Sequence, residues 1–156
     1  MVTEITRWQL NLQTVLDSWK GTPWIAGQRL RGVGADCVNF WASVMDELHG
    51  QDPRPVPRVS QHLGYHSGPG AFSVMRSLVS RYPLAFIPLD TPIEPGDTLI
   101  ERRGDGPGHV LIAGANPIQL WHCINGGGVC YTGRAMVKKY LIHILRSTER
   151  ESWRTR

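Results

Sequence analysis

The chain has 156 residues, of which 41% are hydrophobic and 19% are charged, and its formal net charge is +4. This length is that of one ordinary domain with a real hydrophobic core, and the composition excludes an intrinsically disordered chain. The mild positive charge favours an anionic partner but identifies none.

Two classes of segment are missing from the sequence. No run approaches the ~18 apolar residues of a membrane-spanning helix. The N-terminal stretch has no uninterrupted apolar core of signal-peptide length, so we expect the chain to be made and kept in the cytoplasm unless another route carries it out. The three cysteines are an odd number and do not form a disulfide framework, so at least one thiol should be free.

The first half of the sequence has helical periodicity. Apolar residues at helical spacing predict an amphipathic helix over residues 4–20, which the stretch GTPW at 21–24 ends. After a glycine-bearing loop, Asp36 is placed to cap a second helix that ends near Gly50. The apolar faces are formed by Trp8, Leu12, Val15, Leu16 and Trp19 in the first helix, and by Val38, Trp41, Val44, Met45 and Leu48 in the second.

Residues 51–70 show neither helical nor strand periodicity. A loop of this length in a compact domain is commonly a lid, a binding loop or a surface insertion, and the sequence leaves these open. The following stretch, 71–82, predicts a third helix.

The second half changes to short β-rich runs separated by glycine, proline and asparagine turns. The runs are DTLIERR, HVLIAGA, IQLWHCI, GVCYTG and YLIHILR. Helices followed by an antiparallel sheet of about five strands make an α+β fold. We expect one domain over residues 1–156, with a helical part over about 4–82, a sheet part over about 97–146, and a polar, solvated tail over 147–156.

Cys37 is the strongest candidate for chemistry. It stands at the first turn of the second predicted helix, where free N–H groups and the helix dipole favour a thiolate. We therefore expect a lowered thiol pKa, and N–H groups that can bind an oxyanion. The alternative is that Cys37 is a small buried hydrophobic residue.

A nucleophilic cysteine needs a base, and two histidines are suitably placed. His109 opens one predicted strand, and His122 lies in the next strand along the chain. Neighbouring antiparallel strands would bring the two imidazoles together, one as the base and the other as its orienter. The alternative is that neither histidine has a role, which is what we expect of His49, His62, His66 and His143.

Five blocks occur in a fixed order: GTPW, GVGADCVNFW, EPGDTLI, GHVLIAGA and LWHC. This ordered set, from Gly21 to Cys123, resembles the NlpC-type cell-wall cysteine peptidases, which are papain-like. The resemblance implies that Cys37 is the nucleophile, His109 the base and His122 the orienter. It also places Trp24, where the family usually has a tyrosine, and Asp36 at the oxyanion site and substrate cleft.

The resemblance further implies a substrate and a setting. The substrate would be a peptidoglycan stem peptide, cut between γ-D-glutamate and a diamino acid, without a cofactor and without a nucleic-acid partner. A bare catalytic domain resembles the peptidases of phage tails and gene transfer agents. We therefore expect the protein in a virion or phage-like tail, bound to tail or baseplate hub proteins.

The strand LWHCI also makes a prediction about two neighbours. Successive side chains of a strand face opposite sides of the sheet, so His122 and Cys123 should separate. The resemblance puts His122 on the cleft side, which leaves Cys123 as packing.

Three other readings of the sequence compete with the peptidase. A zinc site could draw on Cys37, Cys123, Cys130, His109 and His122, although no local ligand pair is present. The chain could be an inactive structural component of a tail hub. It could also be a papain-like amidase or acyltransferase that uses the same three residues. A phosphate loop in GQRLRGVG is set aside because the stretch lacks the Gly-Lys-Ser/Thr ending.

Overall fold

The computed structural model describes residues 4–53, 77–103, 106–133 and 137–153. The helices are α1 (Arg7–Trp19) and α2 (Cys37–Leu48), and residues 150–152 form a 3-10 turn. The strands are β1 (Arg29–Leu30), β2 (Gly34–Ala35), β3 (Leu84–Ile87), β4 (Thr98–Arg103), β5 (Gly106–Ala113), β6 (Leu120–Ile124), β7 (Gly128–Thr132) and β8 (Leu141–Ser147). The α+β prediction is confirmed.

Helix α1 begins where its capping residue stands. The Thr6 side chain accepts from the Gln9 backbone N–H, and the Gln9 side chain accepts from the Thr6 N–H at 2.7 Å, which makes a capping box. The helix therefore starts later than the predicted residue 4. Its buried face is the predicted one except at Trp8, which is only partly buried.

The main sheet has six strands in the order β3-β8-β4-β5-β6-β7, and every neighbouring pair is antiparallel. Both helices pack on one face of this sheet, where the Trp41 indole N–H donates to the Thr98 hydroxyl at 3.0 Å. We call the buried residues between the helices and the sheet the helix-side cluster. From the sheet it includes Ile100, Val110, Ile112, Trp121, Cys123 and Leu145. The opposite face carries a second cluster of Leu99, Leu111, Ala113, Leu120, Val137 and Ile144.

Two elements were not predicted. Strand β3 adds a sixth strand at the edge of the sheet beside β8, and β1 pairs with β2 in a two-stranded hairpin within the predicted glycine loop. Strands of two to four residues are too short to show an alternation in the sequence. Of the predicted third helix, residues 77–79 are helical and 71–76 lie outside the described residues, as does 54–70 of the long loop.

The C-terminal segment is packed at its end: Ser147 and Trp153 are buried, and the residues between them are mostly exposed, so the expected solvated tail is wrong at Trp153. Trp153 is 2% exposed, and its ring meets the Trp8 ring edge-on at 5.9 Å. Its carbonyl accepts from the Asn11 side-chain amide at 2.8 Å. The Trp153 ring also lies against Gly96, whose φ is +81°, and any Cβ there would collide with it. The Trp153 ring thus packs directly on the Pro-Gly-Asp turn, where Gly96 leaves room for it.

His49 packs against Trp153 and bonds to it from the protein interior. Its Nε2 lies 2.9 Å from the Ser147 hydroxyl and 3.2 Å from the Trp153 indole nitrogen, and its Nδ1 lies 2.9 Å from the Met45 carbonyl oxygen. An indole N–H can only donate, so Nε2 must accept and the imidazole is neutral. Burial lowers the pKa of His49, while the Met45 carbonyl and the carboxylates of Glu149 and Asp46 act in the opposite direction.

This arrangement predicts acid-sensitive stability. Because the pKa of folded His49 lies below its ordinary value of about 6.5, protons bind the unfolded chain more tightly. The contribution of His49 is complete above that value and is lost as the pH falls below it. Urea unfolding at pH 8, 7, 6 and 5 should show this decline in the wild-type protein. His49→Gln, which keeps an acceptor but does not titrate, should show a smaller one.

His143→Gln is the matched control, because the His143 ring meets the exposed Phe86 ring edge-on at 5.4 Å and lies outside this contact. Its decline with pH should resemble that of the wild type. Equal declines in the wild type and His49→Gln would show that His49 does not carry the effect.

Candidate active site

Cys37 is the first residue of α2, and Asp36 is the N-cap, as predicted. The Asp36 carboxylate accepts from the Asn39 backbone N–H at 2.8 Å and from the Gly27 N–H at 2.7 Å. One carboxylate therefore both caps α2 and binds the loop that precedes it. Asp36 is buried, and its hydrogen bonds fix the backbone on either side of Cys37. Its part in an oxyanion site or substrate cleft stays a prediction.

The stretch GTPW joins the loop before Cys37 to the far edge of the sheet. The Thr22 hydroxyl accepts from the Gly32 N–H at 2.9 Å, and its carbonyl accepts from the Val129 N–H of β7 at 2.8 Å. A Cβ at Gly128 would collide with this same carbonyl. The link that Thr22 makes between these two segments was not predicted from the sequence. The presence of Thr22 in the GTPW block was the one sign that this position matters.

Trp24 lies alongside the strand that leads to Cys37. The Ala35 N–H donates to the Pro23 carbonyl at 3.0 Å, and the Ile25 N–H donates to the Ala35 carbonyl at 2.9 Å. These bonds hold Trp24 beside Ala35, with its side chain half-buried against the helix-side cluster. Its part in an oxyanion site stays a prediction.

The two candidate histidines meet. His109 Nε2 lies 2.9 Å from His122 Nδ1, and the ring centroids are 5.1 Å apart. His109 is 4% exposed and His122 is half-buried. When His109 Nε2 carries the proton and donates to His122, its Nδ1 is the unprotonated ring nitrogen, which is the basic one.

Cys37 meets β5 at the point where β5 and β6 separate. These strands pair only through Ile112 with Trp121 and Ala113 with Leu120, so their ladder has ended where the two histidines lie. There the Val110 backbone N–H donates to the Cys37 thiol instead of to a neighbouring strand. The structure thus places Cys37 against the residue that follows His109.

The expectation of a lowered thiol pKa is wrong for this structure. Cys37 is 1% exposed, and this burial, with the adjacent Asp36 charge, raises the pKa of its thiol to about 12. The Val110 and Val38 amides act in the opposite direction but do not compensate. Burial disfavours the thiolate more than the helix terminus favours it, so the resting group is a neutral thiol.

The alternation of His122 and Cys123 is confirmed. Cys123 points into the helix-side cluster, is 1% exposed, and donates its S–H to the Ala35 carbonyl at 3.2 Å. His122 points to His109 on the other side of the strand. Cys130 is directly opposite His122 in the ladder and is more exposed than the other two thiols.

The structure gives no support for a zinc site in the described residues. Within residues 4–53, 77–103, 106–133 and 137–153, no group of three or more His, Cys, Asp or Glu residues is arranged to hold a metal ion. In the same ranges no helix has the length and apolar character needed to cross a bilayer.

Two solved structures with the same fold are described as NlpC/p60 proteins. The NlpC/p60 domain of the peptidoglycan hydrolase SagA matches with a TM-score of 0.56 and 19% identity, covering 88% of this chain and 97% of that one. A protein described as similar to lipoprotein, of the NLP/P60 family, from Staphylococcus aureus subsp. aureus Mu50 has a TM-score of 0.56 and 18% identity, with 93% of this chain and 43% of that one covered.

A third structure, Ly7917, has a TM-score of 0.51 and 12% identity, with 89% of this chain and 62% of that one covered. No protein-family model and no curated protein sequence matches the chain. At these identities the comparisons show the fold alone. The papain-like NlpC-type fold predicted from the ordered blocks is confirmed.

The Asp36 charge gives a test of what keeps the thiol protonated. In Asp36→Asn the asparagine is still a good N-cap, but the negative charge beside Cys37 is gone. The pKa of the thiol should fall, so alkylation of Cys37 by iodoacetamide at pH 8 should become faster. About threefold corresponds to half a pKa unit.

Both proteins should carry Cys123→Ala and Cys130→Ala so that only Cys37 reacts. Asp17→Asn, on the exposed side of α1, is the control and should not change the rate. A slower or unchanged rate in a folded Asp36→Asn protein would contradict the assigned effect of Asp36.

Proposed function

We propose that the chain is a cysteine peptidase that hydrolyses peptidoglycan stem peptides. The observation that carries the proposal is the convergence of three groups at one break in the sheet. Cys37 begins α2 and accepts the Val110 N–H, while His109, next to Val110, is hydrogen-bonded to His122 at 2.9 Å. The shared fold supports it, because SagA is described as a peptidoglycan hydrolase.

The reaction follows from a neutral thiol and a nearby base. His109 takes the Cys37 proton, and the thiolate sulfur bonds to the substrate carbonyl carbon. Backbone N–H groups at the start of α2 stabilise the oxyanion that forms. The His109 imidazolium then protonates the leaving amine, the C–N bond breaks, and an acyl-enzyme remains. Water, deprotonated by His109, attacks this thioester and releases the carboxylate and the thiol.

His122 supports the base without making bonds to the substrate. By accepting from His109 Nε2 it fixes the tautomer whose Nδ1 is basic, and it shares the positive charge when His109 is protonated. We assign His122 as the orienter of the pair.

The identity of the bond that is cut is a more specific proposal. It is supported by the resemblance of the ordered blocks to the NlpC-type cell-wall peptidases. We assign the bond between γ-D-glutamate and a diamino acid such as diaminopimelate. Incubation with purified peptidoglycan and mass spectrometry of the fragments tests it. Release of intact stem peptides from the glycan would instead indicate an amidase, and no fragment at all would favour an inactive structural protein.

Delivery by a phage or phage-like tail is likewise a proposal, supported by the resemblance in organisation to tail peptidases. Immunodetection in purified particles from a producing strain tests it. Presence only in the cytosol of that strain would count against it.

Cys37→Ser should abolish hydrolysis while the fold is kept. A serine hydroxyl is far less acidic than a thiol and cannot be activated by an imidazole tuned for cysteine. The rate of fragment release should fall by about a thousandfold or more. Circular dichroism should confirm the fold, and substantial release by the folded variant would exclude the cysteine mechanism.

His122→Ala and Cys123→Ala, neighbours on opposite faces of β6, should differ. The histidine variant should lose about tenfold to a hundredfold in kcat, because His109 is left without its orienter. The cysteine variant removes one buried sulfur from the core and should keep most of the activity. The reverse ranking in folded proteins would overturn the assigned roles.

A further inference from the structure

A carboxyl group lies next to the proposed base on the neighbouring strand. Glu101 of β4 is directly opposite His109 of β5, and it is 5% exposed. Directly opposite residues in an antiparallel pair point to the same face, with Cβ atoms about 5 Å apart. Glu101 and His109 are therefore side by side on one face of β4 and β5, and His122 contacts His109 from β6.

The sheet is irregular at this glutamate. The ladder with β8 shifts register between Ile100 and Glu101, and the ladder with β5 shifts between Glu101 and Arg102. The extra residue of each shift is on the partner strand, Ile142 of β8 and Gly108 of β5, and bulges of this kind are frequent beside active sites. Leu99, two residues earlier on the same face, is part of a buried apolar cluster. Glu101 is thus a buried acidic residue at a position on β4 that follows a row of apolar side chains.

We propose that Glu101 is a positioning residue that stabilises the positive charge His109 acquires when it takes the proton of Cys37. This inference rests on the proposed function, because it assigns His109 as the base. Since the site is buried, charges interact more strongly there than in water. The carboxylate favours the imidazolium and so makes His109 a stronger base toward a thiol that is otherwise neutral.

The groups around His109 have separate effects. From α2 the Cys37 thiol is the proton donor, and Asp36 beside it opposes the thiolate. From β6, His122 fixes the tautomer. From β4, Glu101 supplies a negative charge beside the histidine pair. Asp36 and Glu101 therefore act oppositely on the transfer, one against the thiolate and the other for the imidazolium.

The test is a titration of His109 without substrate. In protein with 15N-labelled histidine, the ring-nitrogen shifts of His109, assigned through His109→Gln, give its pKa by NMR. Glu101→Gln keeps the size and removes the charge, so the pKa of His109 should fall by about one unit. Glu101→Asp, with its carboxylate one methylene further away, should give an intermediate value and covers the case in which Glu101→Gln does not fold.

Asp97→Asn is the matched control, because Asp97 is also fully buried but binds Arg146 at 2.8 Å at the other end of β4. It should lower stability and leave the His109 titration unchanged. An unchanged His109 pKa in folded Glu101→Gln, or in folded Glu101→Asp where Glu101→Gln does not fold, would overturn the proposal, since a merely structural glutamate would not move it.

A second readout separates this inference from the proposed function. The acid limb of kcat/KM for fragment release reports the pKa of the free enzyme's base, and in Glu101→Gln it should move to lower pH by the same amount. A shifted His109 titration in a protein that releases no fragments would refute the peptidase alone. Hydrolysis with an unmoved acid limb and an unmoved titration would refute the role of Glu101 alone.

Discussion

The rest of the site depends on the short hydrogen-bonded ladder between β5 and β6. Because pairing ends at Ile112 and Trp121, the start of β5 has an amide, that of Val110, which β6 does not bind. The first residue of α2 fills that place, with its thiol accepting the amide. A helix terminus, a strand end and two imidazoles therefore meet at this point. In the proposed mechanism the substrate carbonyl would lie at this opening.

Burial has two consequences at this point. It keeps the Cys37 thiol neutral, since desolvation of a thiolate outweighs the amides that favour it. It also strengthens every charge interaction that accompanies proton transfer. In the proposed mechanism a neutral thiol needs an oriented base, so the groups around His109 would decide how readily the thiol loses its proton. His122 and Glu101 are the residues of β6 and β4 that the sheet places beside it.

The remaining contacts hold the two halves of the fold in register. Thr22 joins the loop before Cys37 to β7, and Trp153 joins α1 to the Pro-Gly-Asp turn that leads into β4. Asp97 of that turn binds Arg146 of β8, which fixes the turn to the sheet. The glycines at 96 and 128 allow the close approach that each contact needs. Thr22, Gly96 and Asp97 belong to the ordered blocks, and the contacts they make here are structural.

The sequence by itself determined the α+β order, the two main helices, five of the strands, the Asp36 cap, and the separation of His122 from Cys123. These features follow from local periodicity, capping and alternation, which need no knowledge of distant residues. The meeting of His109 with His122 was already expected from the order of the strands. Only the tertiary structure decided the thiol pKa, the burial of Trp153, the edge strand β3, and the place of Glu101. Each of these depends on segments far apart in the chain, and desolvation exists only after they have packed together.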